Sequence, residues 1–224
     1  MSSSAQEPPL PSAPAPPPPP QAKHQLFPPT LLSNGIEYSV HTVPRAFRSD
    51  LAPVLPGVPL EGEPTFLIVP TCQRSCVDLV NWDDPVAREK DLLLERFVAW
   101  AAVVCDRLAA RGFWGDYVDP CSGLAVRTPH SRIAYPEVDA FEALLKWRTG
   151  LAGCCKVLAH PTWGTHAYLA TLFARAPMEA LQEAIAEATA SVPVIPRQEA
   201  GAAGGGGATE AAEGGSTGSS VCKG

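Results

Sequence analysis

The chain has 224 residues, and its 17 Lys plus Arg against 23 Asp plus Glu leave a net charge of −6. That balance excludes a broad electrostatic grip on nucleic acid or on an anionic membrane, and no run approaches the ~18 apolar residues of a membrane-spanning helix. Eleven of the 25 prolines fall in residues 1–29 and nine of the 18 glycines in residues 201–224. Residues 1–29 therefore read as a disordered Pro-rich leader and 197–224 as a disordered Gly/Ala/Ser tail. The remaining 30–196 is the length of one domain.

Within that domain, Ile36 to Val43 alternates with period two and predicts a half-buried strand. Pro44 starts a short helix through Asp50. Thr65 to Val69, bounded by Pro64 and Pro70, predicts a core strand. A long helix follows, capped by Asp83 or Asp84, with Pro85 in its first turn and Gly112 at its exit. Leu93, Phe97, Ala101, Val104 and Leu108 form its apolar stripe, while Arg88, Glu89, Glu95, Arg96 and Asp106 mark the solvated side. Residues 112–123, rich in Gly, aromatics and Asp-Pro, predict a strand running into a surface turn.

A short helix is expected over 136–148, with Val138, Phe141, Leu144 and Leu145 inward. Gly153 to Ala159 and Thr165 to Phe173 read as two strands joined by the hairpin-length turn His160 to Gly164. A last helix runs from Pro177 to about Ser191, burying Met178, Leu181 and Ile185. The order of strands and helices predicts an α+β domain with a mixed or antiparallel sheet.

The seven cysteines, an odd number with no secretory signal ahead of them, predict free thiols in a reducing, cytoplasmic setting. Cys72-x3-Cys76 is too long for a zinc knuckle and has no second pair. His41 and His130 each stand alone and read as structural or solvated. The general phosphate, dinucleotide, zinc-protease and serine-hydrolase motifs are absent.

One constellation stands out: Gly153-Cys154-Cys155-Lys156, with His160, Trp163 and His166 close behind. In a strand, neighbouring side chains diverge, so one of Cys154 and Cys155 is expected outward and the other toward the core. Lys156 shares the face of Cys154 and would support a thiolate there. The residues alone leave core filling, redox chemistry, covalent catalysis and soft-metal ligation open.

Leu94-Glu95-Arg96-Phe97, Phe113-Trp114-Gly115-Asp116-Tyr117-Val118-Asp119-Pro120, Ser122-Gly123-Leu124-Ala125, Gly153-Cys154-Cys155-Lys156-Val157 and Trp163-Gly164-Thr165-His166 together resemble the CblD family of cobalamin trafficking proteins. Trp82 and Val40-His41-Thr42-Val43-Pro44 extend the likeness, which runs from about residue 36 to residue 186. The resemblance implies a single domain with a nitroreductase-like fold. It also implies a non-catalytic adaptor, with no cofactor bound alone, that docks on a CblC-type cobalamin-processing protein. The pair routes cobalamin to methionine synthase and, in a second branch, to methylmalonyl-CoA mutase.

By the same resemblance, Cys154 is the thiolate offered to the cobalt of cobalamin in the shared complex, with Lys156 in support and Cys155 as a secondary thiol expected inward as packing. Trp163, Gly164, Thr165 and His166 become a docking turn or a support for the strand carrying Cys154. The family's longer form carries a mitochondrial leader where this chain has a Pro-rich segment, which favours cytoplasmic work over the mitochondrial branch. Two rival readings remain beside this one: a flavin-dependent nitroreductase-like oxidoreductase and a thiol redox protein.

Overall fold

The computed structural model describes residues 23–153 and 155–192. In chain order the elements are β1 (Gln25–Leu31), β2 (Ile36–Thr42), a 3-10 turn at Arg45–Phe47 leading into α1 (Arg48–Leu51), β3 (Phe66–Arg74), α2 (Asp84–Ala110) and β4 (Trp114–Tyr117). Then come α3 (Glu137–Leu145), β5 (Arg148–Ala152), β6 (Cys155–Ala159), β7 (Ala167–Arg175) and α4 (Met178–Ser191). Five strands form one sheet in the order β1-β2-β3-β7-β4, and β5 and β6 form a separate hairpin. Every strand pairing among the described residues is antiparallel. The α+β class is as expected.

The long helix follows its sequence signals closely. The Asp83 side chain accepts from the Val86 amide at 2.9 Å, and the stripe from Leu93 to Leu108 is buried. Two residues expected on the solvated side, Glu89 and Arg96, are buried instead. Glu89 accepts from the Cys76 amide at 2.8 Å, and the Arg96 guanidinium approaches the β1–β2 loop beside Gly35. Loops folded over that side convert polar helix positions into buried ones.

β2 was expected to bury one face and buries both, because the sheet is the middle of three layers. Leu67 and Val69 of β3 pack with Phe97, Trp100 and Val104 of α2 and with Leu181 and Ile185 of α4. Their neighbours Phe66 and Ile68 pack on the other side with Phe47, Leu51 and the α3 residues Ala140 and Leu144. Alternation survives as a choice between two cores rather than between core and water. Trp100 Nε1 donates to Thr189 Oγ1 at 3.2 Å and ties the two outer helices together.

Three expectations change. The leader reading of residues 1–29 fails over its last part, because β1 begins at Gln25 and pairs with β2. Phe27 stacks on Tyr38 at 5.3 Å, and the register shifts around Pro28 and Pro29 sit on the sheet edge, where proline is tolerated. β3 does not stop at Pro70 but runs through it to Arg74. The β2 register resumes on either side, at Tyr38↔Thr71 and His41↔Ile68, so the missing proline amide falls in a gap of that ladder. Finally, β6 does not pair with β7: its partner is β5, which has no sequence expectation, while β7 lies between β3 and β4. The proposed tail from residue 197 lies outside the described residues.

Candidate functional site

The β5–β6 hairpin carries the Gly-Cys-Cys-Lys motif. Its last pair is Ala152↔Cys155, which leaves two residues of sequence between the strands. Gly153 has φ +63°, the left-handed conformation that a two-residue hairpin connection requires. Cys154 itself lies outside the described residues. The strand expected from Gly153 begins at Cys155.

Cys155 was expected to face inward and is exposed, as are Leu151 (78%), Gly153 and Lys156. The hairpin stands outside the main sheet, and among the described residues neither core cluster includes its turn end, so alternation does not bury this cysteine. The Lys156 ammonium donates to Asp139 Oδ1 at 2.7 Å and to Glu142 Oε2 at 2.5 Å, both on α3. These two carboxylates hold the ammonium above its ordinary pKa, and Lys156 in turn holds Glu142 below the usual carboxylate range. Thr149 Oγ1 on β5 also donates to Glu142, at 3.2 Å.

At the other end of the hairpin sits a cluster of half-buried side chains around the buried His160. His160 follows β6 directly, and Trp147 precedes β5. The His160 Nδ1 accepts from the Thr162 and Trp163 amides, both at 3.1 Å. That leaves the Nε2–H to donate to Glu37 Oε1 on β2, at 3.0 Å. The Trp163 ring stacks on the imidazole at 4.0 Å, and Trp147 meets it edge-on at 4.6 Å. Trp147 also lies 5.8 Å from Phe141 of α3. Side chains from both legs of the hairpin, from the turn beyond it and from the main sheet thus converge on one ring.

Trp163, Gly164, Thr165 and His166 are all half-buried in that turn. Gly164 takes φ +58° and exchanges two 2.9 Å backbone hydrogen bonds with His160. The Ser75 amide donates to the His166 carbonyl at 2.9 Å and the Leu79 amide to the Thr165 carbonyl at 3.3 Å. The Thr165 hydroxyl, bonded to Asp78, holds that carboxylate below its usual range. The turn is therefore stitched to the segment leaving β3 and to the base of the hairpin.

Sequence reasoning missed Glu37, Trp147 and Asp116. Glu37 read as the polar face of a half-buried strand, and Trp147 as the end of a helix. Asp116 is fully buried on β4 and accepts from the amides of Tyr117, Arg127 and Thr128 at 2.7, 2.8 and 2.8 Å, and from Thr128 Oγ1 at 2.6 Å. Only its lone charge amid apolar neighbours could have marked it. His41 is buried against Ser39 Oγ at 2.9 Å, and burial, with His24 nearby, lowers its pKa to about 4. It is neutral and structural at pH 7. His130 lies in an exposed loop.

The other cysteines divide by burial. Cys72 is buried, and desolvation pushes its thiol well above the ordinary range; Cys105 is pushed up to about 12 for the same leading reason. Cys76 is exposed. The expectation of thiols throughout fails at Cys121, which is disulfide-bonded. Among the described residues, no group of three or more His, Cys, Asp or Glu is arranged to hold a metal ion.

The model of the methylmalonic aciduria and homocystinuria type D protein family matches residues 21–185. The chain belongs to this family. It is 33% identical over 141 residues to the cobalamin trafficking protein CblD of Homo sapiens, covering 63% of this chain and 47% of that one. The Mus musculus and Gallus gallus proteins of the same name are 32% and 30% identical over the same length and shares. The chain thus spans about half the length of the curated relatives it matches. The family match begins ahead of β1, in accord with the placement of that strand inside the folded domain.

Proposed function

We propose that this protein is a non-catalytic adaptor in intracellular cobalamin trafficking. In this reading it docks on a CblC-type cobalamin-processing protein and offers the Cys154 thiolate to the cobalt of the cargo. It thereby directs cobalamin toward methionine synthase, with methylmalonyl-CoA mutase as a second destination. The relatives named above are cobalamin trafficking proteins, and the family match runs from ahead of β1 into α4.

The observation that carries the thiolate part is the setting of the motif. Gly153, Cys155 and Lys156 are exposed around a two-residue connection, on a hairpin that belongs to neither core layer. A sulfur donor delivered from such a connection can enter a recess on another protein that a sheet face cannot enter. Thiolate is a polarizable ligand suited to a corrin-held cobalt. Because Lys156 is committed to Asp139 and Glu142, its charge is largely compensated where it stands. Ionisation of the thiol is then left to the cobalt centre, which acidifies a coordinating thiol directly. Sulfur–cobalt bonding would occur only when the partner presents its cargo.

The test is co-elution. The protein, mixed with a CblC-type partner loaded with cobalamin, is run on a sizing column with absorbance followed in the visible. A cobalt-containing peak at the summed mass supports the adaptor reading, and separate elution at micromolar concentrations of both proteins refutes it. Bound flavin or turnover of a disulfide by the isolated chain would favour the enzyme readings instead.

A further inference from the structure

We propose that His160 is a positioning residue that sets the direction in which the β5–β6 hairpin projects, and through it the delivery of the Gly153–Cys155 connection. This inference rests on the thiolate reading above for its purpose, but the anchoring itself stands on geometry alone. Among the described residues, polar side chains attach the hairpin to the domain at two places, on α3, where Thr149 also reaches Glu142, and at its base. One is the Lys156 bridge to Asp139 and Glu142, whose side chains are 39%, 63% and 44% exposed. Exposed pairs of this kind are screened and hold long, mobile side chains, so they fix an orientation weakly.

The other attachment is the His160 cluster, with His160 and Glu37 only 5% and 16% exposed. Both imidazole nitrogens are used: one accepts two amides, and the other donates to a carboxylate on β2. The ring can neither rotate nor change tautomer without breaking bonds in a desolvated setting. Trp147 and Trp163 close its edge and its face. Because Trp147 precedes β5 and His160 follows β6, the cluster clasps both legs of the hairpin at their base. Glu37 then pins that base to the second strand of the main sheet. From the base, five residues of each strand reach toward the connection, so a small rotation about the ring becomes a larger displacement at the tip.

Hydrogen exchange on the full chain tests the anchor. His160→Ala is expected to accelerate exchange of the 148–159 amides at least ten-fold while β3 and β7 keep their protection. Glu37→Gln, which keeps an oxygen acceptor facing Nε2, is expected to retain most of the hairpin protection, and Lys156→Met nearly all of it. Glu37→Ala serves as the second disrupting variant should His160→Ala fail to fold. Unchanged hairpin exchange in folded variants, or an equal loosening of the whole domain, overturns the proposal.

The positioning role is read on the complex with a cobalamin-loaded CblC-type partner. His160→Ala is expected to bind the partner within about three-fold of wild type, yet to lose at least ten-fold of any thiolate–cobalt absorption band. A full band on a loosened hairpin overturns the positioning role. A wild-type complex without the band refutes the thiolate reading and, with it, the purpose assigned to His160, while the exchange result still decides whether His160 anchors the hairpin.

Discussion

Asp116 offers the sharpest test of how the β4 side of the domain is held. Its carboxylate is fully buried and accepts four hydrogen bonds, three from backbone amides and one from the Thr128 hydroxyl. Asp116→Ala leaves three amides and a hydroxyl without their acceptor in a site closed to bulk water. Each stranded buried donor costs roughly 1–3 kcal/mol, and partial rehydration of the 126–128 segment recovers some of it, so the net loss is about 4 kcal/mol. For a domain whose whole stability is about 5–15 kcal/mol, that is a large fraction. Urea unfolding followed by tryptophan fluorescence reads it directly. Thr128→Val removes one donor and its bond together and is expected to cost only about 1.5 kcal/mol. A loss below about 1 kcal/mol in Asp116→Ala would refute the assignment of this carboxylate as the pin of the segment.

Further outcomes follow from other residues. Glu137 accepts from Thr171 Oγ1 at 2.5 Å, and burial raises its carboxyl from 4.5 to about 7. The folded state then keeps a proton that the unfolded chain releases above about pH 4.5. Stability is expected to fall by up to about 3 kcal/mol as pH rises from 4.5 to 7, and Glu137→Gln should flatten that part of the pH profile of urea midpoints. Phe97→Ala empties a fully buried position in the α2 stripe and is expected to cost about 3–5 kcal/mol by the same unfolding measurement. Lys156→Met is expected to change the alkylation rate of Cys154 less than three-fold, because Asp139 and Glu142 already compensate the ammonium. A ten-fold slower rate would restore Lys156 as the thiolate's support.

Much of the fold was legible because local signals agreed with tertiary demands. α2 carried a cap, a first-turn proline and an unbroken apolar stripe, and it folded within a residue or two of its expected ends. Misreadings arose where a local rule met a layer the sequence does not announce. Pro70 reads as a strand end, yet β3 passes through it because the missing amide falls in a gap of the β2 ladder. Gln25 to Pro29 reads as the end of a Pro-rich leader, yet the aromatic Phe27 finds Tyr38 and the strand joins the sheet edge. The strands expected over 153–159 and 165–173 read as partners because five residues separate them nearly as in a hairpin, but seven residues separate β6 from β7, and β6 pairs with β5 while β7 pairs with β3 and β4.

The motif Gly-Cys-Cys-Lys was legible as unusual, and its place beside a turn was not. Cys155 was expected inward, whereas the thiol is exposed on a hairpin outside the main sheet. Glu37 and His160 lie 123 residues apart, and neither periodicity nor spacing brings them together. Only the register of β2 and the path of the hairpin base do so.

The most direct test of the account is the cobalt absorption spectrum of the complex with a cobalamin-loaded CblC-type partner, recorded under reducing, low-oxygen conditions. Wild type and Cys155→Ser are predicted to show the same new thiolate–cobalt band, and Cys154→Ser is predicted to form the complex without it. A band that survives Cys154→Ser, or one absent from wild type despite a confirmed complex, would contradict the central claim.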